Sequence, residues 1–374
     1  MTVSSSNAFK PIKVGRLDLG HRIAMAPLTR LRADEKTHVL PEMAEEYYEQ
    51  RASRPGTLII TEATFLSEKA GGYPSAPGVY TSEQIAQWKK VFEKIHAKGS
   101  HVYVQLWNLG RVAPERVMGK GNVLSASDVP FDGSQMPGEY YAPDNVPRPM
   151  TVDEIQQFVK DYATAAKNAV EAGADGVEIH SANGYMLDQF LHENTNHRTD
   201  EYGGSIENRA RFTLEVVDAV SEAIGADRTA IRFSPWGEFG DVDYGVSAVP
   251  QWSYLAAQLE KRRREGRELA YVHIVEPRAA GGGDRQAKEH ESNDFFRLIY
   301  GGIIIRAGGL CDRQLIDEYT NKEDKTLIAL GRYFISNPDV VDRLEKGIPL
   351  TKYNRDTFYS KGPKGYIDYG FAKL

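Results

Sequence analysis

Residues 176–185 read GVEIHSANGY, a mostly apolar β-strand that ends in a polar turn. His180, Asn183 and Tyr185 leave the end of this strand close together in the chain. Two of these groups can hydrogen-bond one carbonyl oxygen, and the phenol can transfer a proton. In a parallel α/β barrel, catalytic residues collect at the carboxyl ends of the strands. The segment therefore predicts a barrel strand that carries catalytic side chains.

Strand-like runs of the same kind recur along the chain. Most are nearly continuous apolar runs rather than alternating ones, as expected for strands that are covered on both faces. The eight strand candidates are Ile23–Pro27, Leu58–Ala63, His101–Leu106, Gly176–Ser181, Thr229–Pro235, Tyr271–Pro277, Gly302–Gly309 and Leu327–Phe334.

Helix-like runs separate these strands. Residues 151–154 (TVDE) form a capping box at one helix start, and Asn337-Pro338 indicates another, with Pro at the first helical position. The eight helix candidates are Pro41–Arg54, Ser82–Lys98, Val152–Ala172, Ile206–Ile224, Pro250–Arg264, Asn293–Tyr300, Asp312–Tyr319 and Pro338–Lys346. This alternation predicts an α/β fold, a single (β/α)8 TIM barrel that occupies residues 1–374 as one domain.

Two segments interrupt the alternation. Residues 111–150 form a long insertion after the third strand, and residues 278–292, with three consecutive glycines, follow the sixth. Both come after the carboxyl ends of strands, so we expect these loop insertions over the C-terminal face of the barrel. The second insertion is a candidate lid, with an inert surface loop as the alternative.

Bulk composition argues against several classes of protein. The 374 residues are 41% hydrophobic and 26% charged, which is typical of a soluble globular protein. A net charge of −6 argues against nucleic acid as a partner. The single cysteine, Cys311, excludes a cysteine-rich metal site, and His192 and His197 are too widely spaced for a helical zinc motif, so we expect no metal. No run approaches ~18 apolar residues, so we expect no membrane span.

The glycine-rich ends of the seventh and eighth strands predict a phosphate site. Gly308, Gly309 and Gly331 allow backbone amides to approach a phosphate, and Arg332 adds a charged fork. No G-x-G-x-x-G motif opens a helix after a strand, and no P-loop is present. A mononucleotide such as FMN therefore fits better than bound NAD or FAD.

Other strand positions suit a flavin ring. Thr29 follows the first strand, Gln105 lies within the third and Arg232 lies in the middle of the fifth. A buried arginine in an apolar strand needs an anion, because an unpaired buried charge is costly. Reduced flavin carries negative charge at its N1–C2=O edge, which Arg232 can meet; a salt bridge to an acidic side chain is the alternative.

Five motifs together resemble the old yellow enzyme family of FMN-dependent ene-reductases, nearest to its fungal branch. They are MAPLTR at 25–30, VQLW at 104–107, HSANGY at 180–185, RTDEYGGSIENR at 198–209 and GRYFISNP at 331–338. The likeness extends from Phe9 to Tyr369, and Asn183, in place of a second His, points to the fungal branch.

This resemblance implies roles for the matching residues. It implies that His180 and Asn183 hold the carbonyl oxygen of the substrate, that Tyr185 donates the proton, and that Tyr359 forms a pocket wall. Trp107 is a further expected wall residue, and Trp236 replaces a Tyr beside the pocket. The implied FMN-binding positions are Pro27, Thr29, Ala63, Gln105, Arg232, Gly308, Gly309 and Arg332.

The implied activity is reduction of a small-molecule enone or nitroalkene, with NADPH as electron donor in the same pocket and ping-pong kinetics. An isomerase of the same family, which Tyr185 disfavours, and a non-catalytic flavin protein are alternatives. Glu62, Glu178 and Glu276 lie on strand candidates, so a glycosidase-type barrel also stays open. An aldolase would need a strand lysine, and none of the eight candidates has one.

The last three residues, Ala372-Lys373-Leu374, are a close variant of the Ser-Lys-Leu peroxisomal signal. The sequence therefore leaves the cytoplasm and the peroxisome as alternative locations. It also leaves the oligomeric state open, with a homodimer as one alternative.

Overall fold

In the computed structural model, which describes residues 6–133, 146–280 and 283–373, eight parallel strands close into a barrel. Each strand pairs with its neighbours in chain order, and the last strand pairs with the first. The strands are β1 (Ile23–Met25), β2 (Leu58–Ile60), β3 (His101–Trp107), β4 (Gly176–Ser181), β5 (Thr229–Phe233), β6 (Tyr271–Val275), β7 (Ile304–Ala307) and β8 (Thr326–Leu330). The predicted (β/α)8 barrel is confirmed.

A helix follows each strand on the outside of the barrel. The helices are α1 (Met43–Arg51), α2 (Ser82–Ala97), α3 (Val152–Glu171), α4 (Ile206–Ile224), α5 (Val249–Arg264), α6 (Asp294–Ile299), α7 (Arg313–Lys322) and α8 (Val340–Lys346). The capping box predicted at Thr151 and Glu154 is confirmed at the start of α3, and Thr81 and Gln84 form another at the start of α2. Each box satisfies backbone amides that the first helical turn leaves unpaired.

Shorter elements decorate both ends of the barrel. They are an antiparallel hairpin of Ile12–Val14 and Leu17–Leu19, strands Thr64–Phe65, Leu124–Ser125, Arg148–Pro149, Ala279–Ala280 and Gly283–Asp284, helices Glu115–Met118, Met186–Leu191 and Arg332–Ser336, and 3-10 turns Asn7–Phe9, Glu68–Ala70, Gly110–Val112, Ala226–Arg228 and Arg355–Thr357.

Several predicted boundaries in the last part of the chain are wrong. The strand predicted to reach Phe334 ends at Leu330, because Arg332–Ser336 form a short helix. The strand predicted to reach Gly309 ends at Ala307, because Gly308 and Gly309 have φ angles of +121° and +73° that interrupt the extended chain. The helix start predicted at Asn337 is also wrong. Asn337 closes the preceding short helix, and its Oδ1 accepts from Thr351 N at 2.7 Å. Its side chain thus binds a later segment instead of capping α8.

The two insertions are built differently. The described part of residues 111–150 includes a pair of short parallel strands, and the part at 134–145 lies outside the described residues. In the second insertion, Arg285 pairs with Glu291 at 2.8 Å. Tyr244, in the loop after β5, donates to the same carboxylate at 2.8 Å. These contacts join residues 285–291 to the neighbouring loop, and a lid function for 278–292 stays a prediction.

Apolar side chains fill the two layers of the barrel. Strand residues such as Ile59, Val104 and Ile231 share one buried cluster with helix residues such as Trp88 and Phe158. Another cluster joins alternate strand residues to the amino-terminal hairpin, which leaves the opposite, carboxyl-terminal end of the barrel for a ligand. Across the described residues, no helix combines the length and the apolar character that crossing a membrane requires.

Candidate active site

A cavity of about 660 Å³ opens at the carboxyl-terminal end of the barrel, which is a size typical of sites for small molecules and cofactors. Every barrel strand contributes to its lining, at or just beyond its carboxyl end. Representative lining residues, in strand order, are Ala26, Ala63, Gln105, His180, Arg232, Val275, Ala307 and Ala329. Closure of a parallel barrel brings these ends to one face.

His180, Asn183 and Tyr185 meet on one wall of this cavity. The Tyr185 ring lies edge-on to the His180 ring at 5.1 Å and to the Trp107 ring at 4.9 Å. Asn183 has a φ of +55°, a left-handed conformation that Asn tolerates better than most residues. Its backbone N donates to Ser234 Oγ at 2.7 Å. The structure thus brings the predicted catalytic residues together.

The protonation states of this wall follow from burial. Burial and the nearby Arg232 charge hold the pKa of His180 well below its usual range, so its imidazole is neutral at neutral pH. Burial also raises the pKa of the Tyr185 phenol, with a further contribution from Tyr359. The wall therefore offers a neutral imidazole N–H, an amide and a protonated phenol.

Arg232 presents its guanidinium to the same cavity from β5. Its Cα lies opposite that of His180 in the β4–β5 ladder. Burial lowers the pKa of Arg232, and Glu178 opposes that shift, so the side chain stays charged. Arg232 Nε and His180 Nδ1 are buried and have no hydrogen-bond partner among the described residues. The Arg232 guanidinium fits the polar edge of a flavin ring.

The other end of the cavity has the features of a phosphate site. Gly309 has a φ of +73°, which favours glycine, and a Cβ there would lie 2.7 Å from Arg278 Nη1, so the backbone and this guanidinium lie close together. Gly331 lies at the start of the short helix that carries Arg332. Arg332 Nη1 donates to Tyr353 OH at 3.0 Å and lies over the ring of the same residue. A guanidinium and glycine amides together suit a phosphate.

Of the predicted site residues, only Trp236 does not line the cavity. Its ring is 1% exposed and packs against Tyr244 and His290, and its Nε1 donates to Ser292 O at 3.2 Å. The cavity lining includes all the others, namely Pro27, Thr29, Ala63, Gln105, Trp107, His180, Asn183, Tyr185, Arg232, Gly308, Gly309, Gly331, Arg332 and Tyr359.

Trp236 was expected to lie beside the pocket, but Phe239 lines the cavity instead. The chain turns after β5, where Gly237 N donates to Ser234 O at 2.9 Å, and this turn directs Trp236 away from the cavity. Phe239 then lines the cavity with its ring 6.2 Å from that of Tyr185. The one feature of the sequence that could have indicated Phe239 is that it is an aromatic residue in the loop after a strand.

Further lining residues were also missed. Tyr73, which contacts the Trp107 ring at 5.5 Å, comes from the loop after β2, and Tyr353 and Arg355 come from the carboxyl-terminal segment. Arg278 comes from the loop after β6. Each of these residues lies on an irregular segment, where the spacing of residues does not predict the direction in which a side chain points.

The strand glutamates that left a glycosidase open are all engaged elsewhere. Glu178 accepts from Gln105 Nε2 at 2.7 Å and contacts His273 Nδ1 at 2.9 Å, and Glu276 pairs with Arg306 at 2.9 Å. Glu62 accepts from a buried tyrosine hydroxyl at 3.3 Å. None of these carboxylates lines the cavity. The site therefore lacks the carboxylate pair of a glycosidase.

Comparison with known proteins agrees with this geometry. Residues 7–351 match the model of the NADH:flavin oxidoreductase / NADH oxidase family. Enoate reductase 1 of Kluyveromyces lactis is 48% identical over 378 residues, which cover 98% of this chain and 94% of that protein.

Solved structures give the same result. Old yellow enzyme from Pichia sp. matches with a TM-score of 0.89 and 42% identity, over 100% of this chain and 95% of that one. Morphinone reductase in complex with tetrahydroNAD matches with a TM-score of 0.87 and 39% identity, over 98% of each chain. The chain therefore belongs to the NADH:flavin oxidoreductase family that includes old yellow enzyme.

The resemblance drawn from the motifs is thus confirmed, including its fungal relatives. The chain is an FMN-dependent ene-reductase, and the cavity has the donors that this cofactor requires. The Arg232 guanidinium, whose Nε has no hydrogen-bond partner among the described residues, lies at one end, and glycine amides with Arg332 lie at the other.

Proposed function

We propose that the enzyme reduces the activated C=C bond of an α,β-unsaturated carbonyl or nitro compound, with NADPH as electron donor and Tyr185 as proton donor. The observation that carries this proposal is the convergence of His180, Asn183 and Tyr185 on one cavity wall, next to Arg232. When bound, FMN takes hydride from NADPH and supplies it to the β-carbon of the alkene.

The residues of the cavity would hold FMN at both of its polar ends. Arg232 would meet the N1–C2=O edge, and its charge would balance the negative charge of the reduced ring. Gly308, Gly309, Gly331 and Arg332 would hold the phosphate. The remaining proposed contacts are Pro27, Thr29, Ala63 and Gln105, which line the cavity between these ends.

His180 and Asn183 are proposed to hold the oxygen of the substrate. Negative charge develops on this oxygen as the β-carbon accepts hydride, and fixed donors at about 3 Å stabilise such charge. The neutral imidazole suits this role, because it donates a hydrogen bond without titrating near neutral pH. Loss of one donor of this kind typically slows a reaction by ~10²–10³.

Tyr185 is proposed to protonate the α-carbon. Because burial raises the pKa of this phenol, it is fully protonated at neutral pH. An α-carbanion is far more basic than a phenolate, so the proton transfer is favourable. Trp107, Phe239 and Tyr359 would surround the substrate with aromatic surface.

NADPH is proposed to use the same cavity as the alkene. The described part of the chain is one barrel without a separate nicotinamide-binding domain, which supports this arrangement. Ping-pong kinetics follow, because the oxidised coenzyme must leave before the alkene binds.

The test is an anaerobic assay with a panel of cyclic enones, maleimides, nitroalkenes and unsaturated aldehydes. We expect reoxidation of the NADPH-reduced flavin by at least one class, with a saturated product. A protein that NADPH reduces but that no alkene reoxidises would contradict the proposal.

The assembly and location of the enzyme are also proposals. We propose a homodimer, which light scattering would reveal as twice the mass of the chain.

For the location, the cytoplasm and the peroxisome are the two alternatives. A fluorescent protein fused at the amino terminus would distinguish them: a diffuse signal, unchanged when Leu374 is deleted, would refute peroxisomal import.

A further inference from the structure

Gly184, between Asn183 and Tyr185, has both of its backbone polar groups bound by side chains of the helix that follows. Gly184 N donates to Asp188 Oδ2 at 2.8 Å, and Gln189 Nε2 donates to Gly184 O at 2.8 Å. The φ angle of Gly184 is +69°, and a Cβ there would lie 2.2 Å from the backbone oxygen of a neighbouring loop. The turn is therefore held by two buried side chains and by close packing.

The two catalytic residues that flank this glycine are anchored unequally. Asn183 has an anchor of its own, since its backbone N donates to Ser234 Oγ at 2.7 Å. Tyr185 N lies 3.4 Å from Ala182 O, which is a long hydrogen bond. Tyr185 O accepts from Gln189 N at 2.9 Å, in the same helix that holds Gly184. The backbone contacts of Tyr185 among the described residues thus come from its own turn and this helix, whereas Asn183 is also held from the loop after β5.

The second oxygen of Asp188 faces His192, one helical turn further on. Asp188 Oδ1 lies 3.4 Å from His192 Nε2, and both side chains are 0% exposed. His192 Nδ1 lies 3.0 Å from Asp243 O, which can only accept, so Nδ1 carries a proton. Neither of these two facing atoms has a hydrogen-bond partner among the described residues, so their 3.4 Å contact is the link between His192 and the Asp188 carboxylate.

We propose that Asp188 is a positioning residue for Tyr185 in the protonation step, and that His192 holds the Asp188 carboxylate in the orientation this requires. The proposal rests on the proposed function, in which Tyr185 is the proton donor. A displacement of about 1 Å at a reacting group can slow a reaction ~10²-fold. Because Asn183 has an additional anchor in Ser234, outside this turn and helix, protonation should be impaired more than binding of the substrate oxygen.

The experiment compares the half-reactions of Asp188→Ala and Asp188→Asn in the FMN-loaded enzyme by anaerobic stopped flow. In Asp188→Ala, we expect reoxidation by cyclohexenone to slow at least ~10-fold. Reduction by NADPH, and the Kd of p-chlorophenol measured from its charge-transfer band, should change less than about 3-fold. Asp188→Asn should recover most of the rate, because its amide can accept from Gly184 N and donate to His192 Nε2.

Two further variants keep the test decisive. His192→Phe preserves a ring against Trp252, which lies 5.1 Å away, and should slow reoxidation selectively even if Asp188→Ala does not fold. Thr320→Ala removes a buried hydrogen bond of 2.8 Å to Ile316 O in α7, remote from the site, and should leave both half-reactions unchanged.

The possible outcomes separate this proposal from the function on which it rests. If Tyr185→Phe is slow while Asp188→Ala and His192→Phe reoxidise at the parent rate, the positioning role is refuted. Equal slowing of both half-reactions and weaker phenol binding would also overturn it, since that pattern indicates general disruption. A parent enzyme that reduces no alkene, or a Tyr185→Phe variant at the parent rate, would instead refute the proposed function.

Discussion

Replacement of Tyr185 by Phe removes one hydroxyl group from the proposed site and changes little else. The ring contacts with His180 at 5.1 Å, Trp107 at 4.9 Å and Phe239 at 6.2 Å do not involve the oxygen. The packing of the wall should therefore survive the substitution. The expected loss is that of a positioned general acid, ~10²–10⁴ in rate, or about 3–5 kcal/mol in activation free energy.

The assay measures the two half-reactions separately under anaerobic conditions. Reduction of the flavin by NADPH needs no proton from Tyr185 and should stay within about 3-fold of the parent rate, whereas enone reduction should fall by ~10²–10⁴. Tyr359→Phe is the matched control, because it removes another phenol that lines the cavity and that acts on the pKa of Tyr185. Enone reduction at the parent rate in Tyr185→Phe, or a larger loss in Tyr359→Phe, would refute the assignment.

Three other substitutions test the remaining parts of the site. Arg332→Ala should weaken FMN binding by about 10–100-fold, the worth of a charge-assisted hydrogen bond, and fluorescence titration of the apoprotein measures this. His180→Ala should abolish the charge-transfer band that phenols give with the oxidised flavin, as difference spectroscopy would record. Glu62→Gln should raise the free energy of unfolding by more at pH 8 than at pH 5, measured in urea with saturating FMN. Burial raises the pKa of Glu62 from its ordinary 4.5 to about 7, so this carboxyl destabilises the fold as pH rises through that range, by up to about 3 kcal/mol.

Each of these predictions has a control and a contradicting outcome. Arg332→Lys should retain part of the FMN affinity, and unchanged affinity in Arg332→Ala would refute the phosphate assignment. An undiminished phenol band in His180→Ala would show that another group holds the anionic oxygen. For Glu62→Gln, an equal stability difference at pH 5 and pH 8 would mean that Glu62 does not titrate between these values.

The sequence alone determined the barrel and most of the site, because both depend on local patterns. Apolar runs of strand length alternate with amphipathic helices. A parallel barrel buries the apolar faces of both and needs only short connections between them. Closure of that barrel then gathers every carboxyl strand end at one face. Residues on the strands near this face, such as His180, Gln105 and Arg232, were therefore predictable without knowledge of any contact.

Only the tertiary structure decided the residues on irregular segments. The turn after β5 buries Trp236 and brings Phe239 to the cavity, and no local pattern distinguishes the two aromatics. Asn337 has the sequence of a helix cap, yet its side chain binds Thr351, fourteen residues further along the chain. The contact between His192 and Asp243 O likewise joins two segments 51 residues apart. Such contacts depend on the paths of separate loops in space, whereas strand and helix patterns depend on the spacing of neighbouring residues.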